Sequence, residues 1–332
     1  MSHLTRQKKG KFGVVLIGLL VLSLMLAACG SKSEEKNTTS ESPTTSDTKQ
    51  EAKEKVLKDG MGHEVTIPAN PQHVLASYLE DPLTALGVKP VAQWSVPNGI
   101  QDYLQASNLQ GVPTISYDLP PEAVLKASPD LIIVGSESQV QKGLYDQYNK
   151  IAPTYVLGDA VSKDWRQTLL KIGEILNKTP EAQKVISDYD AKATETKAKI
   201  QTVMNGKSAA ILWLTGKNFF LVDETTSSGT VLYHDLGITP PNLVTEIPAD
   251  KRASWNPVTM EKLADLKADY IFLVNSDKGQ GSEETLNSAI WKGIPAVKAG
   301  QVIELSKSSS WLYNGAVAGQ MVMEDALKAL VK

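Results

Sequence analysis

The longest amphipathic pattern of the chain lies in its middle, over residues 164–206. Asp164 is a favourable N-cap residue, and apolar side chains follow it at helical spacing. A Thr-Pro-Glu sequence at 179–181 then begins a second helix, because proline suits the first helical position and an acidic residue suits the first turn. This second helix, 181–204, is charged on its outer face, and its predicted length is on the order of 35 Å.

One short pattern occurs on both sides of this helical segment. A glutamate stands eight positions before an aspartate, and an apolar run follows at once: Glu122 precedes Asp130, and Glu261 precedes Asp269. Each copy predicts a short helix, a turn and a buried parallel strand. The repetition indicates two similar halves, although a single repeated element does not prove duplication.

Further apolar runs alternate with short helical patterns in both halves, and an amphipathic helix is predicted near 318–331. The predicted strands are 73–76, 91–94, 113–117, 130–134, 151–156, 209–214, 219–222, 270–274 and 302–305. Such alternation is typical of an α/β fold with mainly parallel sheets. We therefore predict two α/β lobes, 56–163 and 207–332, joined by one long bridging helix within 164–206. Ligands of such sheets bind beyond the carboxyl ends of the strands.

The N-terminus has the composition of a targeting segment. Four basic residues, Arg6, Lys8, Lys9 and Lys11, precede an apolar run over 12–26 that is too short for a confident transmembrane helix. The run ends in Leu-Ala-Ala-Cys-Gly, which resembles the lipobox of bacterial lipoproteins. The resemblance implies that 1–28 is a signal peptide, removed before a lipid-modified Cys29. The alternative is an ordinary signal peptide followed by a chance cysteine.

Cysteine usage and charge exclude several kinds of protein. Cys29 is the only cysteine, which excludes disulfides within one chain and thiol-based metal sites. Residues 29–55 are rich in Ser, Thr, Glu and Lys and predict a disordered tether. Without its four signal-peptide cations, the chain has 30 basic and 37 acidic residues, a net charge of −7. That balance argues against nucleic acid as a partner.

Large aromatic residues near predicted strand ends, in loops or, for Tyr233, in a short predicted helix that ends at the Gly237 turn are the candidate ligand contacts. They are Tyr78, Trp94, Trp213, Tyr233, Trp255, Trp311 and Tyr313. Arg252 is one of only two arginines beyond the signal segment, and its planar fork suits exposed chelate oxygens. A surface ion pair with Asp250 is the alternative for Arg252. The four histidines lack metal-ligand spacing, so no metal site of the protein itself is predicted.

Several segments together resemble one protein family. They include "TIPANPQHVL", "PEAVLKASPDLIIV", "YNKIAPTYV" and "SWNPVTMEKLADLKADYIF". With the lipobox, they are similar to the substrate-binding lipoproteins of ABC importers for ferric siderophores, haem and cobalamin. The resemblance covers the chain from Val56 onward and implies two lobes bridged by one helix, with a shallow ligand cleft. Family members often have arginine where this chain has His73.

The resemblance implies a function. We expect a monomeric binding protein, lipid-anchored on the extracytoplasmic side of the cell membrane, with no cofactor of its own. Its ligand would be a ferric siderophore of the hydroxamate or citrate-hydroxamate type, because few fixed cations are present for a strongly anionic catecholate. Haem and cobalamin remain alternative ligands. Glu122 and Glu261 would dock the two permease subunits, which work with a cytoplasmic ATPase.

An enzyme is the alternative of another class. The chain has no G-x-S-x-G, H-E-x-x-H, G-x-G-x-x-G or P-loop motif. A surface lipoprotein hydrolase could still be composed from His234, Asp235 and a serine. Any chain of this length offers such sets, so we expect a binding protein rather than an enzyme.

Overall fold

The computed structural model describes residues 53–97 and 99–331. They begin with an antiparallel hairpin of two strands, Lys55–Lys58 and Glu64–Ile67. Asp59 organises its turn, because one carboxylate oxygen accepts the backbone N–H groups of Met61 at 2.9 Å and His63 at 2.8 Å. The Asp-Gly-Met-Gly sequence at 59–62 thus forms the turn of this hairpin.

The first half of the described chain, residues 53–163, contains two further sheets of three strands each. The parallel sheet has the order Val74–Leu75, Leu131–Val134, Thr154–Val156. The mixed sheet has the order Gly99–Ile100, Gln93–Val96, Thr114–Ser116. The five predicted strands are present, but they are divided between two sheets. The sequence does not predict the edge strand Gly99–Ile100, which is only two residues long.

The second half, residues 207–331, contains one sheet of five strands. Its order is Trp255–Val258, Asn218–Val222, Ala209–Thr215, Tyr270–Asn275, Val302–Leu305. The last three strands are parallel and the first two pairings are antiparallel. Trp255, expected in a loop, instead begins an edge strand that the sequence pattern does not predict. Pro257 argues against a strand in the sequence, because proline is tolerated in sheets mainly on edge strands. This strand lies at the edge of its sheet.

Short helices connect the strands. Those of four to seven residues are Glu80–Ala85, Pro121–Ala127, Leu144–Asn149, Asp159–Ser162, Asn242–Thr245, Met260–Leu263, Ser282–Leu286, Ala289–Gly293 and Pro295–Lys298. Single turns or distorted helical segments occupy Asp102–Leu104, Gln105–Leu109, Glu137–Val140, Ser227–Gly229, Thr230–Asp235, Ala249–Lys251 and Ser310–Leu312. The longer helices are Trp165–Ile175, Thr179–Met204 and Ala316–Leu330.

The repeated sequence element forms the same structure twice. In both copies a short helix leads to a strand that lies between two parallel neighbours. The aspartates of the repeat perform equivalent tasks. Asp130 accepts the backbone N–H groups of Gln72 at 2.7 Å and His73 at 2.9 Å, immediately before the neighbouring strand. Asp269 accepts the N–H of Ser208 at 2.7 Å, again just before the adjacent strand begins.

The two central strands are buried on both faces. Leu131 and Ile133 belong to the largest core, whereas Ile132 faces a separate core on the other side of the sheet. In the second half, Phe272 joins the same largest core and Leu273 faces an outer one. Continuous apolar runs are required where helices cover both sides of a parallel sheet. One apolar core therefore contains residues of both halves.

Thr179–Met204, the spine helix, also contributes to this shared core. Its buried face is Ala182, Tyr189, Ala193, Thr196, Ile200 and Met204. Ala316–Leu330, the terminal helix, packs against it closely, since a Cβ at Gly319 would lie only 2.6 Å from the Tyr189 hydroxyl. The predicted long helix is confirmed and begins two residues earlier than expected. Within 53–97 and 99–331, no helix combines the length and apolar character of a membrane span.

Candidate functional site

A cavity of about 370 Å³ lies where the first half meets the segment before the terminal helix. Its walls include residues that follow the strands Val74–Leu75 and Leu131–Val134, at their carboxyl ends. This is the edge at which α/β sheets bind ligands. The lining residues are Ser77, Tyr78, Leu79, Asp81, Pro82, Gln101, Gly135, Ser136, Ser138, Gln139, Ser162, Trp165, Thr168, Leu169, Tyr313, Asn314, Gly315 and Ala316.

Aromatic rings gather at the rim of this cavity. The Tyr78 ring centroid lies 5.0 Å from that of Trp94 and 6.4 Å from that of Tyr313, which in turn lies 5.0 Å from the Tyr103 ring. Tyr78 is 44% exposed and has a positive φ of 64°, which is costly for a bulky side chain. Three predicted ligand contacts, Tyr78, Trp94 and Tyr313, are thus brought together.

Two buried carboxylates lie beneath these rings. One oxygen of Glu80 accepts the backbone N–H of Trp94 at 2.6 Å. Asp81 accepts the Tyr103 hydroxyl at 3.0 Å and the N–H groups of Val317 and Ala318 at 3.1 and 2.8 Å. Asp81 therefore caps the start of the terminal helix from a distant part of the chain.

Burial changes the proton affinity of these groups. It raises the pKa of Glu80 to about 7 and that of Asp81 to about 6, although hydrogen bonds to the carboxylates oppose the shift in both. Burial, together with nearby Tyr313 and Glu80, raises the pKa of Tyr78 to about 12. The Asp81 contact also explains the glycine at 315, because a Cβ there would lie 2.1 Å from the Asp81 carboxylate.

A second aromatic group lies on the sheet of the second half. The ring of Trp213 is 5.4 Å from Phe220 and 5.6 Å from Trp255, in the latter case edge to face. Trp213 donates its indole N–H to Ser276 at 2.9 Å. The indole nitrogen of Trp255 is buried and has no hydrogen-bond partner among the described residues. Trp213 and Trp255 do not line the cavity of the first half. Their role as ligand contacts stays a prediction.

Arg252 is held by its own neighbours. Its guanidinium pairs with Glu224 and donates to the Ile247 carbonyl at 3.2 Å, and the buried Asp223 carboxylate lies 4.0 Å away. The alternative ion pair with Asp250 is replaced by these two acids. Arg252 does not line the cavity, so a role in ligand binding would require it to exchange one of these partners.

Two predicted ligand contacts are buried in the core and need correction. Trp311 is 0% exposed, stacks on Phe272 at 4.6 Å and donates its indole N–H to Asp325 at 2.9 Å. Tyr233 is 8% exposed, and its hydroxyl donates to the Ala209 carbonyl at 3.1 Å. Neither ring offers surface to a ligand. Loop position suggested exposure, but close packing on the sheet removes it.

The predicted docking residues are accessible. Glu122 and Glu261 are exposed, each in the first turn of a short helix. Cys29, the predicted lipidation site, lies outside the described residues. Within the described ranges, no group of three or more His, Cys, Asp or Glu residues could hold a metal ion.

Several cavity residues were missed by sequence reasoning. Asp81, Ser77 and Gln101 are buried polar residues, a class that is seldom fully buried without a reason. The Glu-Asp pair before Pro82 indicates the start of a helix, because acids and proline are favoured there, but it does not indicate that Asp81 is buried. Trp165 is half-buried, packs against the largest core and also lines the cavity.

The chain is similar to known proteins over most of its length. A family model described as periplasmic binding protein matches residues 76–308. A probable siderophore-binding lipoprotein of Bacillus subtilis, YfiY, is 28% identical over 94% of this chain and 95% of its own length. The iron(3+)-hydroxamate-binding protein YxeB of the same organism is 29% identical over 88% of each chain.

A solved structure has the same fold. It is an FhuD fold-family protein of Bacillus subtilis, described as a component of a ferrichrome ABC transporter. It is 24% identical, has a TM-score of 0.70, and the match covers 83% of this chain and 100% of that one. The predicted α/β class with parallel-rich sheets is confirmed, and the chain belongs to the periplasmic binding protein family, a family of substrate-binding proteins.

Proposed function

We propose that this protein captures an iron(III)–siderophore complex and delivers it to the permease of an ABC importer. The observation that carries the proposal is the aromatic group at the cavity, in which Tyr78 and Tyr313 line the cavity and Trp94 packs against Tyr78. A siderophore surrounds its iron with its own oxygen ligands, so the binding protein supplies apolar surface and a few polar groups rather than metal ligands. The names of the relatives support the same ligand class.

The charge around the site favours a hydroxamate or citrate-hydroxamate over a catecholate. Three hydroxamates neutralise iron(III), whereas three catecholates leave an excess of negative charge that needs fixed cations. The cavity lining, as far as the chain is described, contains no lysine, arginine or histidine. Arg252 is already paired with Glu224. A neutral or weakly charged chelate therefore fits this site better than a strongly anionic one.

The proposed contacts come from both halves. Tyr78, Trp94 and Tyr313 would hold one side of the chelate, and Trp213 with Trp255 would face it from the second half. Arg252 would join them by exchanging Glu224 for a chelate oxygen. The lobes would correspond to residues 56–163 and 207–332, with 164–206 as the bridge, and no resident cofactor would be needed.

The remaining parts of the proposal concern transport. Glu122 and Glu261 would dock the two permease subunits, which are coupled to a cytoplasmic ATPase. Cys29 would carry the lipid that anchors a monomer on the extracytoplasmic side of the membrane, with 30–55 as its tether. Binding rather than catalysis would be the whole role of the protein.

Tryptophan-fluorescence titration tests the ligand. We expect saturable quenching by ferric hydroxamates at micromolar concentrations or below, and weaker quenching by ferric catecholates, haem and cobalamin. Iron-free siderophores are the matched controls for ligand absorbance. Absence of binding to every ferric siderophore, or tighter binding of haem or cobalamin, would overturn the proposal.

A further inference from the structure

The cavity at the aromatic rim is polar but carries little charge. Serine, threonine, glutamine and asparagine side chains make up much of its wall, and Asp81 is its one ionisable carboxylate among the described lining residues. The Arg166 guanidinium, which lies over the ring of the lining residue Trp165 at 4.4 Å, is already paired with Asp190 at 2.6 Å. The electrostatic potential inside is therefore set by buried acids and by neutral dipoles.

Two buried polar atoms in the wall have no hydrogen-bond partner in the part of the chain that the structure describes. The Ser77 hydroxyl oxygen and the Gln101 side-chain carbonyl oxygen make no hydrogen bond within the described chain, and both residues are only 4% exposed. A buried acceptor left unsatisfied costs roughly 1–3 kcal/mol. Because a carbonyl oxygen can only accept, the Gln101 atom requires a donor from water or from a ligand.

Two buried carboxyl groups lie below the rim. Glu80 is fully buried outside the cavity lining, and its second carboxyl oxygen also lacks a partner among the described residues. Asp81 lines the cavity and accepts three donors. The Asp81 carboxylate and the two unsatisfied acceptors make the interior favourable for a cation with several N–H donors and unfavourable for an anion.

Building on the proposed function, we propose that this cavity is a subsite for an alkylammonium arm of the siderophore. The ferric chelate would rest on the rings of Tyr78, Trp94 and Tyr313, while the arm enters the cavity. Its ammonium would donate to the Gln101 carbonyl and the Ser77 hydroxyl and face the Asp81 carboxylate. A volume of about 370 Å³ accommodates such an arm together with water. The protein would thus select among hydroxamates by their free amine.

The test compares two ligands that differ only in that amine. Ferrioxamine B is a linear ferric trihydroxamate with a terminal primary amine, and its N-acetyl derivative has the same chelate without the charge. Tryptophan quenching of the purified protein at pH 7.5 should give at least fivefold tighter binding of the amine form. Equal affinities, or tighter binding of the acetylated form, would overturn the inference and leave the proposed function intact.

Matched variants locate the effect. Gln101→Met keeps the side-chain length and removes the amide, so the affinity ratio should fall to twofold or less. Ser77→Ala, which hardly changes the side-chain volume, should also lower the affinity ratio. Gln147→Met, on the exposed helix Leu144–Asn149, should leave the ratio unchanged. An unaltered ratio in both cavity variants would contradict the assignment, and failure of all ferric chelates to bind would overturn the proposed function itself.

Discussion

The two halves of the molecule fix their strands alike but use their aromatic residues differently. Asp130 and Asp269 each tie down the backbone that leads into the neighbouring strand. The first half leaves Tyr78 and Tyr117 exposed, at 44% and 57%. The second half buries some rings in stacked pairs, such as Phe219 with Trp291 at 5.1 Å, and leaves Trp213, Trp255 and Tyr313 half-buried. Similar elements thus support two surfaces of different character.

The difference teaches where ligand-facing residues can be expected. Tyr78 and Tyr117 both follow a strand and are exposed, although only Tyr78 has a positive φ. Trp311 also follows a strand, yet it is fully buried and stacks on Phe272. Position after a strand is therefore insufficient to predict the exposure of a ring, which depends on how each loop packs.

The largest effect on stability is expected at Trp311, which is buried, in contrast to Tyr313, which lies two residues later and is half-exposed. Trp311→Ala removes a fully buried ring that stacks on Phe272, and should lower the free energy of unfolding by about 3–5 kcal/mol. Tyr313→Ala removes a half-exposed ring at the cavity, and should weaken siderophore binding about tenfold while costing less than about 1.5 kcal/mol in stability. Urea unfolding and fluorescence titration measure the two quantities.

Trp311→Phe is the control, because it keeps an aromatic ring on Phe272 while losing the bond to Asp325. It should recover most of the lost stability. If Trp311→Ala left stability unchanged but abolished binding, the assignment of this ring to the core would be wrong, and the original expectation of a ligand contact would return.

The sequence predicted the strands and the spine helix better than the site. Apolar runs such as Leu131–Val134 and the long amphipathic pattern are strong signals, because burial on one or both faces fixes their period. The edge strand Trp255–Val258 was not predicted from the sequence because it contains a proline. The polar cavity residues Ser77, Asp81 and Gln101 escaped for another reason: their environment comes from contacts as distant as Asp81 with Ala318, which no local pattern encodes.

The next effect concerns the buried acid of the first half. Because burial raises the pKa of Glu80 from its ordinary 4.5 to about 7, the folded state binds a proton more readily than the unfolded state. The associated stability is fully present below about pH 4.5 and is lost as the pH rises through 7. The change in the free energy of unfolding caused by Glu80→Gln should therefore be more favourable at pH 8 than at pH 5, by up to about 3 kcal/mol.

Thermal unfolding between pH 5 and 8 measures this difference. Glu64→Gln, on an exposed position of the N-terminal hairpin, is the control and should not change the pH dependence. A pH profile of Glu80→Gln that runs parallel to that of the unsubstituted protein would show that Glu80 ionises normally.

A smaller effect tests the backbone hydrogen bonds that Asp130 and Asp269 accept in the two halves. Asp130→Ala and Asp269→Ala each leave backbone N–H groups without their acceptor, and each should cost about 1–2 kcal/mol in urea unfolding. The two losses should add, since the sites lie in different sheets. Asp250→Ala, at an exposed position, is the control and should be close to neutral. A large loss from one variant and none from the other would show that the two aspartates are equivalent only in sequence.

The smallest effect on the isolated protein is expected at Glu122 and Glu261, the other matched pair of the repeat. Both are exposed in a first helical turn, where an acidic residue is favoured by the helix dipole. Replacing either by alanine should change stability by no more than about 0.5 kcal/mol and should leave siderophore affinity unchanged. Uptake by cells should nevertheless fall, and fall further in the double variant, because two like charges suit a permease with two-fold symmetry.

Charge reversal separates docking from a structural role. Glu122→Arg with Glu261→Arg should reduce uptake more than the two alanines do. The permease surfaces that bind the glutamates would be positively charged, so arginines at these positions would be repelled. Glu283→Arg, another exposed acid in a first helical turn, is the matched control and should transport normally. Normal uptake by the doubly reversed variant would leave both glutamates as helix-start acids, and the equivalence of the two halves would then end at Asp130 and Asp269.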